Sequence, residues 1–246
     1  GVVNIITGHG DPCGRVLTSH PDMARVSFTG GPVSAGHVIR NTAENFAELS
    51  LELGGKSPFI VFDDADIDSA VNGSIAGIFA ASGQSCVAGS RLYLHDAIAD
   101  TFLAKMTAIA NSIRIGDPQE DDTQMGPLCT RAQISHIELQ MARAVEQGGR
   151  VITGGKAVAD RDGLFFQPTI IECPDPGMDI VDTELFGPVL VVLRFTEEDD
   201  VVAQANNSVH GLAAGIFTRD SARSMRMARR IRAGIVWVNT YRVISP

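Results

Sequence analysis

"PFIVFDDADIDSAVNGSIAGIFAASGQSCVAGSRLYLH", Pro58 to His95, decides the fold. Phe59–Phe62 is an unbroken apolar run of strand length, and Arg91–Leu94 reads as a second strand. Between them, Asp66 stands where a side-chain oxygen caps the free amides of a helix's first turn. Ile67, Val71, Ile75, Ile78 and Phe79 then recur at spacings of three and four, one buried stripe. Gly83 occupies the position that commonly ends a helix through a left-handed residue. The stretch therefore reads strand, helix, loop, strand, the repeating unit of an α/β fold.

The same alternation extends outward. Strands are expected at Val2–Ile6, Arg25–Phe28, Leu49–Leu53, Arg150–Ile152, Val189–Phe195, Ala213–Phe217 and Gly234–Val238. Helices are expected to begin near Pro12, Ser34, Ala97, Arg131, Glu197 and Asp220. The fold class is thus α/β, a mostly parallel sheet flanked by helices. Gly116–Pro127, "GDPQEDDTQMGP", is an acidic surface loop, and the glycines and proline of "LGGKSP", Leu53–Pro58, mark a domain boundary.

The formal charge of −9 and a pI near 5.1 argue against nucleic acid or an anionic membrane surface as a partner. The basic cluster Arg223–Arg232 is interleaved with Met and Ile and reads as the solvated edge of an amphipathic helix. No apolar run has the length to span a bilayer, and no secretion signal is present at the start. Cys13, Cys86, Cys129 and Cys173 are scattered, with neither paired nor zinc-type spacing, which fits a reducing cytoplasm and no metal site. The opening "GVVNIITG" has no initiator Met and the end follows closely on a strand-like run, so the chain reads as a piece of a longer one.

Glycines cluster after the first two expected strands, in "GHGDPCG" (Gly8–Gly14) and "FTGGPVSAG" (Phe28–Gly36). Each is compatible with an ordinary tight turn or with a pyrophosphate resting on backbone amides at a helix start. Glu52, in "LELGGK", either faces solvent on an alternating strand or points inward as a desolvated general base. Cys86 lies just beyond a helix end among Ser85, Ala88 and Gly89, which leave amides accessible to an oxyanion beside its sulfur. It is either a small half-buried residue or a nucleophile. No His adjoins it; His95 and His210 are either packed residues or distant partners.

Together these segments resemble the aldehyde dehydrogenase superfamily. "FAASGQSCVAGS" resembles its cysteine signature and "LELGGKSP" its glutamate signature, 34 residues apart in the expected order. "FTGG", "ELFGPV" (Glu184–Val189), "ANNSVHGLAAGIFT" (Ala205–Thr218) and "GIVWVN" (Gly234–Asn239) continue the resemblance over essentially the whole chain. It implies that Cys86 attacks an aldehyde carbon, that hydride passes to NAD or NADP, with NAD favoured, and that Glu52 activates the water that hydrolyses the thioester. It implies cofactor contacts at Gly10, Gly14, Gly30, Gly31, Gly36, Leu53, Glu184 and Phe186. A substrate tunnel would be shaped by Ser85 and Val87, with Tyr241 and Arg242 at its mouth. Residues 1–54 would be the C-terminal part of an incomplete Rossmann-like cofactor domain and residues 55–246 a truncated catalytic domain. The parent enzyme would be a cytoplasmic homodimer or homotetramer acting on a small-molecule aldehyde.

The sequence departs from the family pattern at Gly31, where the "FTGS" turn has serine. The segments with the oxyanion-hole asparagine, the adenosine-ribose ligands and the oligomerisation hairpin do not fall within the chain, and Pro246 stands where the "PFGG" proline would be. Losing one oxyanion donor costs about two to three orders of magnitude in turnover, so these residues alone are expected to be nearly inactive. The alternatives are a CoA-acylating dehydrogenase, a cysteine hydrolase using His95 or His210, and a non-catalytic structural piece.

Overall fold

The computed structural model describes residues 1–159 and 162–243, and Pro246 lies outside the described residues. The chain divides into two compact units, Gly1–Gly54 and Gly55–Pro246.

In the first unit, a π-type turn at Gly10–Gly14 runs into α1 (Arg15–Thr18), where the sequence places a helix start near Pro12. β1 (Arg25–Thr29), α2 (Pro32–Asn41) and β2 (Glu48–Glu52) form a strand–helix–strand unit. The strands pair in parallel, from Arg25 opposite Glu48 to Thr29 opposite Glu52. Pro32 suits the start of α2, where a missing amide hydrogen costs nothing. The strand expected at Val2–Ile6 does not form, and Val2, Val3, Ile5 and Ile6 are exposed. β-branched side chains favour a strand only where a neighbouring strand and a packed face receive them, and no strand of this unit pairs with that segment.

The second unit contains β3 (Pro58–Val61), α3 (Ile67–Phe79), β4 (Arg91–His95), α4 (Asp96–Ser112), α5 (Arg131–Glu146), β5 (Arg150–Thr153), β6 (Thr169–Glu172), α6 (Asp179–Asp182), β7 (Val189–Phe195), α7 (Glu198–Asn206), β8 (Ala213–Phe217), α8 (Ser221–Arg230) and β9 (Ile235–Val238). Its sheet runs β5-β6-β7-β4-β3-β8-β9 and is parallel except for β5 at the edge. Successive side chains of a strand point to opposite faces, so the apolar runs build two cores. Ile60, Tyr93, Val191 and Leu193 pack with Ile137 and Met141 of α5, Val201 of α7 and Met227 of α8. Phe59, Val61, Leu92, Leu94 and Val192 pack with Val71 and Ile78 of α3 and Phe102 and Met106 of α4.

Asp66 caps α3 as expected, accepting from the Ser69 amide. The helix ends at Phe79 rather than at Gly83, and the turn that follows holds Ala81, Ser82 and Gly83 all at positive φ. β6 was not expected because only Ile170 and Ile171 of "TIIE" are apolar, and α6 is a single turn. The basic cluster is the outer edge of α8, where Arg226 and Arg230 pair with Glu198, Arg230 also pairs with Asp199, and Arg223 lies over the Phe62 ring. Among the described residues, no helix is long and apolar enough to cross a membrane.

Candidate active site

Cys86 is half-buried in the loop that leads from α3 into β4, and it packs against the core on the α3 side of the sheet. Left-handed residues shape this loop, an arrangement that costs about 1 kcal/mol for each non-glycine residue. Ala81 and Ser82 adopt φ of 52° and 55°, and Gly83 follows at 72°. Neighbouring contacts hold the strained turn. The Ser82 hydroxyl donates to the Gly126 carbonyl at 2.8 Å, and the Cys129 amide donates to Gln84 Oε1 at 2.9 Å.

Glycines bring other chain segments against this loop. A Cβ on Gly83 would lie 2.1 Å from the Gly187 carbonyl oxygen, and one on Gly55 would lie 2.4 Å from the Cys86 carbonyl oxygen. Both neighbours are backbone atoms, so no side-chain rotation could relieve the overlap. On the opposite side, Tyr241 is buried, its ring against Gly77, Gly89 and Gly215, and its hydroxyl donates to the Val87 carbonyl at 2.9 Å. Among the described residues, the amides of Ser85, Cys86 and Val87 donate no hydrogen bond. The Cys86 loop is thus fixed from several directions while the amides of Ser85, Cys86 and Val87 stay free.

Gly55 also joins Cys86 to Glu184. Its amide donates to Glu184 Oε1 at 3.1 Å, and the second carboxylate oxygen has no hydrogen-bond partner among the described residues. Glu184 is half-buried, whereas Phe186 is exposed at a left-handed φ of 50°. Gln133 of α5 donates its side-chain amide to the Phe186 carbonyl, which anchors that turn. Arg242, half-buried, directs its guanidinium to the Ala76 and Ala80 carbonyls at the end of α3, at 3.4 and 3.5 Å. Ser85 is half-buried and Val87 buried beside Cys86.

The remaining expected site residues belong to the first unit. Glu52 ends β2 and is exposed, with its carbonyl accepting from the Gly30 amide at 3.0 Å; Leu53 is half-buried. Gly30 and Gly31 form the turn from β1 into α2, Gly31 standing at the helix cap with open space around it. Gly36 lies within α2, and Gly10 and Gly14 bound the π-type turn. The strand–glycine turn–helix arrangement expected of the second glycine cluster is therefore present.

His95 is occupied structurally. Its Nδ1 accepts from the Ala97 amide at the start of α4, and its ring packs edge-on against Phe195. Sequence reasoning missed Gln133 and the close-approach role of Gly55. The glycine pair in "LGGK" carried a signal for the latter, whereas nothing local distinguishes Gln133.

The chain matches the model of the aldehyde dehydrogenase family over residues 1–246. It is 53% identical to the (Z)-2-((N-methylformamido)methylene)-5-hydroxybutyrolactone dehydrogenase of Acinetobacter baylyi, over 100% of this chain and 50% of that protein. It is 41% identical to the NADP+ succinate-semialdehyde dehydrogenase GabD of Escherichia coli, over 98% of this chain and 50% of that protein. Among solved structures, PnpE from Pseudomonas sp. WBC-3 matches with a TM-score of 0.97 at 41% identity, covering 100% of this chain and 51% of that one. The NAD+ complex of a Bacillus cereus aldehyde dehydrogenase matches with a TM-score of 0.96 at 37% identity, covering 99% and 50%. The chain spans about half the length of the curated relatives it matches.

Proposed function

Because this chain belongs to the aldehyde dehydrogenase family, we propose that it is the cysteine-bearing portion of an NAD(P)-dependent enzyme that oxidises an aldehyde to a carboxylic acid. The observation that carries the reading is the Cys86 loop: a half-buried thiol with unengaged amides around it, immobilised by backbone approach at Gly55 and Gly83. In this reading the Cys86 thiolate adds to the aldehyde carbon, and the free amides of Ser85 to Val87 stabilise the resulting oxyanion. A bound nicotinamide would supply the hydride acceptor. Glu184 fits as the ligand of its ribose, since Gly55 fixes one carboxylate oxygen and the other stays free to accept from hydroxyl groups. Glu52 is assigned to take the proton from the water that cleaves the Cys86 thioester.

Residues 1–54 are read as the end of the cofactor domain, with Gly10, Gly14, Gly30, Gly31, Gly36 and Leu53 assigned to NAD(P), and Phe186 is assigned to the same cofactor. Residues 55–246 are read as catalytic, with Ser85, Val87, Tyr241 and Arg242 shaping the substrate approach. The whole protein is proposed to be a cytoplasmic homo-oligomer.

Two relatives narrow the substrate. A 5-hydroxybutyrolactone is the ring-closed form of a 4-oxo carboxylic acid, and succinate semialdehyde is the parent 4-oxo acid. The relatives named for these two substrates are 53% and 41% identical to this chain. We therefore assign a 4-oxo acid or its hydroxylactone as the substrate class.

Alkylation with iodoacetamide, mapped by peptide mass spectrometry, tests the nucleophile. Cys86 should react faster than the exposed Cys129, and Cys173, whose thiol burial pushes up to about 11, should not react. In the full-length enzyme, a 4-oxo acid with NAD(P)+ should yield NAD(P)H and protect Cys86. Alkylation led by Cys129, with no such protection, would remove the basis for the reading.

A further inference from the structure

Because the amides of Ser85, Cys86 and Val87 donate no hydrogen bond among the described residues, the stretch that carries the thiol is not pinned through them. It has to be held through its carbonyls and its side chains. On the exit side, the Tyr241 hydroxyl donates to the Val87 carbonyl at 2.9 Å and the Ala88 amide to the Ser85 carbonyl at 3.0 Å. On the entry side the chain arrives through Ala81, Ser82 and Gly83, three left-handed residues in succession. Such a run persists only where its surroundings over-determine it.

Gln84, half-buried and two residues before Cys86, closes that turn with its own amide, which donates to the Ala81 carbonyl at 3.0 Å. Its side chain reaches a segment 43 to 45 residues further on. There Oε1 accepts from the Cys129 amide at 2.9 Å, and Nε2 donates to the Pro127 carbonyl at 3.4 Å. A carboxamide carries an acceptor and a donor on one planar group, so a single side chain answers both a backbone N–H and a backbone C=O. The buried Ser82 adds its bond to the Gly126 carbonyl at 2.8 Å. The segment is itself well anchored. Leu128 is buried in the core with its amide on the Leu164 carbonyl at 2.7 Å, and Thr130 caps α5 by accepting from the Gln133 amide at 3.2 Å.

We propose that Gln84 is a positioning residue for Cys86, its carboxamide tying the entry of the loop to the Pro127–Cys129 backbone so that the sulfur is placed without spending the neighbouring amides. The kinetic meaning of this tie rests on the reading of Cys86 as the nucleophile of an aldehyde dehydrogenase; the tie itself does not. Two rates then respond to its loss in opposite directions. Iodoacetamide needs only access to the sulfur, so loosening the loop lets a half-buried thiol react faster. Addition to an aldehyde needs the sulfur and the free amides aligned on one carbonyl group, so the same loosening slows it.

The test compares Gln84→Met, Gln84→Glu and Thr130→Ala in the full-length protein, each confirmed as folded by circular dichroism. Gln84→Met nearly keeps the side chain's shape and removes both bonds, whereas Gln84→Glu keeps the acceptor for Cys129. Thr130→Ala weakens the same segment without touching Gln84. Hydrogen exchange at the Cys129 amide, resolved by mass spectrometry with electron-transfer fragmentation, should accelerate in Gln84→Met and not in Gln84→Glu. Gln84→Met should raise the iodoacetamide rate at Cys86 severalfold and lower kcat with a 4-oxo acid by about ten- to a hundredfold, with the KM for NAD(P)+ unchanged. Gln84→Glu should fall between Gln84→Met and wild type, and Thr130→Ala should lower the urea midpoint while moving neither rate. Wild-type rates in Gln84→Met, the same rate changes in Thr130→Ala, or Gln84→Glu reacting like Gln84→Met while its Cys129 amide stays protected would overturn the proposal. If the wild-type protein oxidises no aldehyde while exchange and alkylation shift as stated, the dehydrogenase reading fails and the tie stands.

Discussion

Gly55→Ala is the sharpest perturbation of the candidate site, because one methyl group meets the backbone of Cys86 itself. The added Cβ would lie 2.4 Å from the Cys86 carbonyl oxygen, and Leu212 blocks retreat with its own Cβ at 3.4 Å. Reaching ordinary contact requires a shift of about 1 Å in one of the two backbones, since dispersion turns to steep repulsion below that separation. Overpacking of this kind costs about 1–3 kcal/mol. It should lower the urea midpoint by several tenths of a molar to about 1 M. The kinetic effect should be of comparable size, because a 1 Å misplacement of a reacting group costs about a hundredfold in rate, or about 2.7 kcal/mol.

The assay pairs urea unfolding with the iodoacetamide rate at Cys86, read by peptide mapping so that Cys13, Cys129 and Cys173 report separately. Gly234→Ala is the control, since its Cβ would meet the Leu212 and Gly211 carbonyl oxygens at ordinary separations of 3.4 and 3.9 Å. Gly55→Ala should shift the Cys86 rate and leave the Cys129 rate unchanged. If it unfolds at the wild-type midpoint and Cys86 reacts at the wild-type rate, the claim that Gly55 locks the nucleophile loop is wrong.

Tyr241→Phe should cost about 1–2 kcal/mol in urea unfolding, because it leaves the Val87 carbonyl without its buried hydroxyl donor while the ring still fills the same space. Lys56→Met should be more stable than wild type at neutral pH. The amine is brought down from 10.5 to about 7 on folding, so the unfolded chain binds the extra proton between those values. The variant's advantage should be complete at and below pH 7 and fade as pH rises toward 10.5; an advantage that grows with pH would contradict the burial argument. Burial raises the Glu172 carboxyl, but hydrogen bonds from Arg194 and Arg150 more than offset this and hold it below 4.5. Stability from that clamp should be present above about pH 4.5 and disappear as pH falls through the lowered value, and Glu172→Gln should remove that acid dependence in circular dichroism melts.

The sequence made the central sheet legible because its strands are buried on both faces. Apolar runs such as Phe59–Phe62 and Val189–Phe195 need no partner information to be recognised. Val2–Ile6 has the same composition and forms no strand, since composition does not report whether a neighbouring strand is there to pair with it. β6 was missed because only Ile170 and Ile171 of "TIIE" are apolar, too few to mark a strand of the same length as Phe59–Phe62. The Cys86 loop stood out in the sequence because its small residues leave a written trace of a place where backbone segments come close.

What holds that cysteine in place was not legible, and the reason is physical. Gly55 and Cys86 are distant in sequence and meet through a backbone atom, so neither residue's type encodes the contact. The same holds for Gly83 against Gly187 and for Tyr241 against Val87. Lys56 makes the point most sharply. Read locally, a lysine after two glycines belongs on a surface turn, where its charge is free of cost. Only the fold reveals it as a buried amine without a hydrogen-bond partner, beside the equally buried Arg91. A stable fold alone would favour an apolar residue there, so keeping the lysine sacrifices stability. Lys56→Met should therefore gain stability at neutral pH, and equal stability of the two proteins there would show that the fold compensates the buried amine after all.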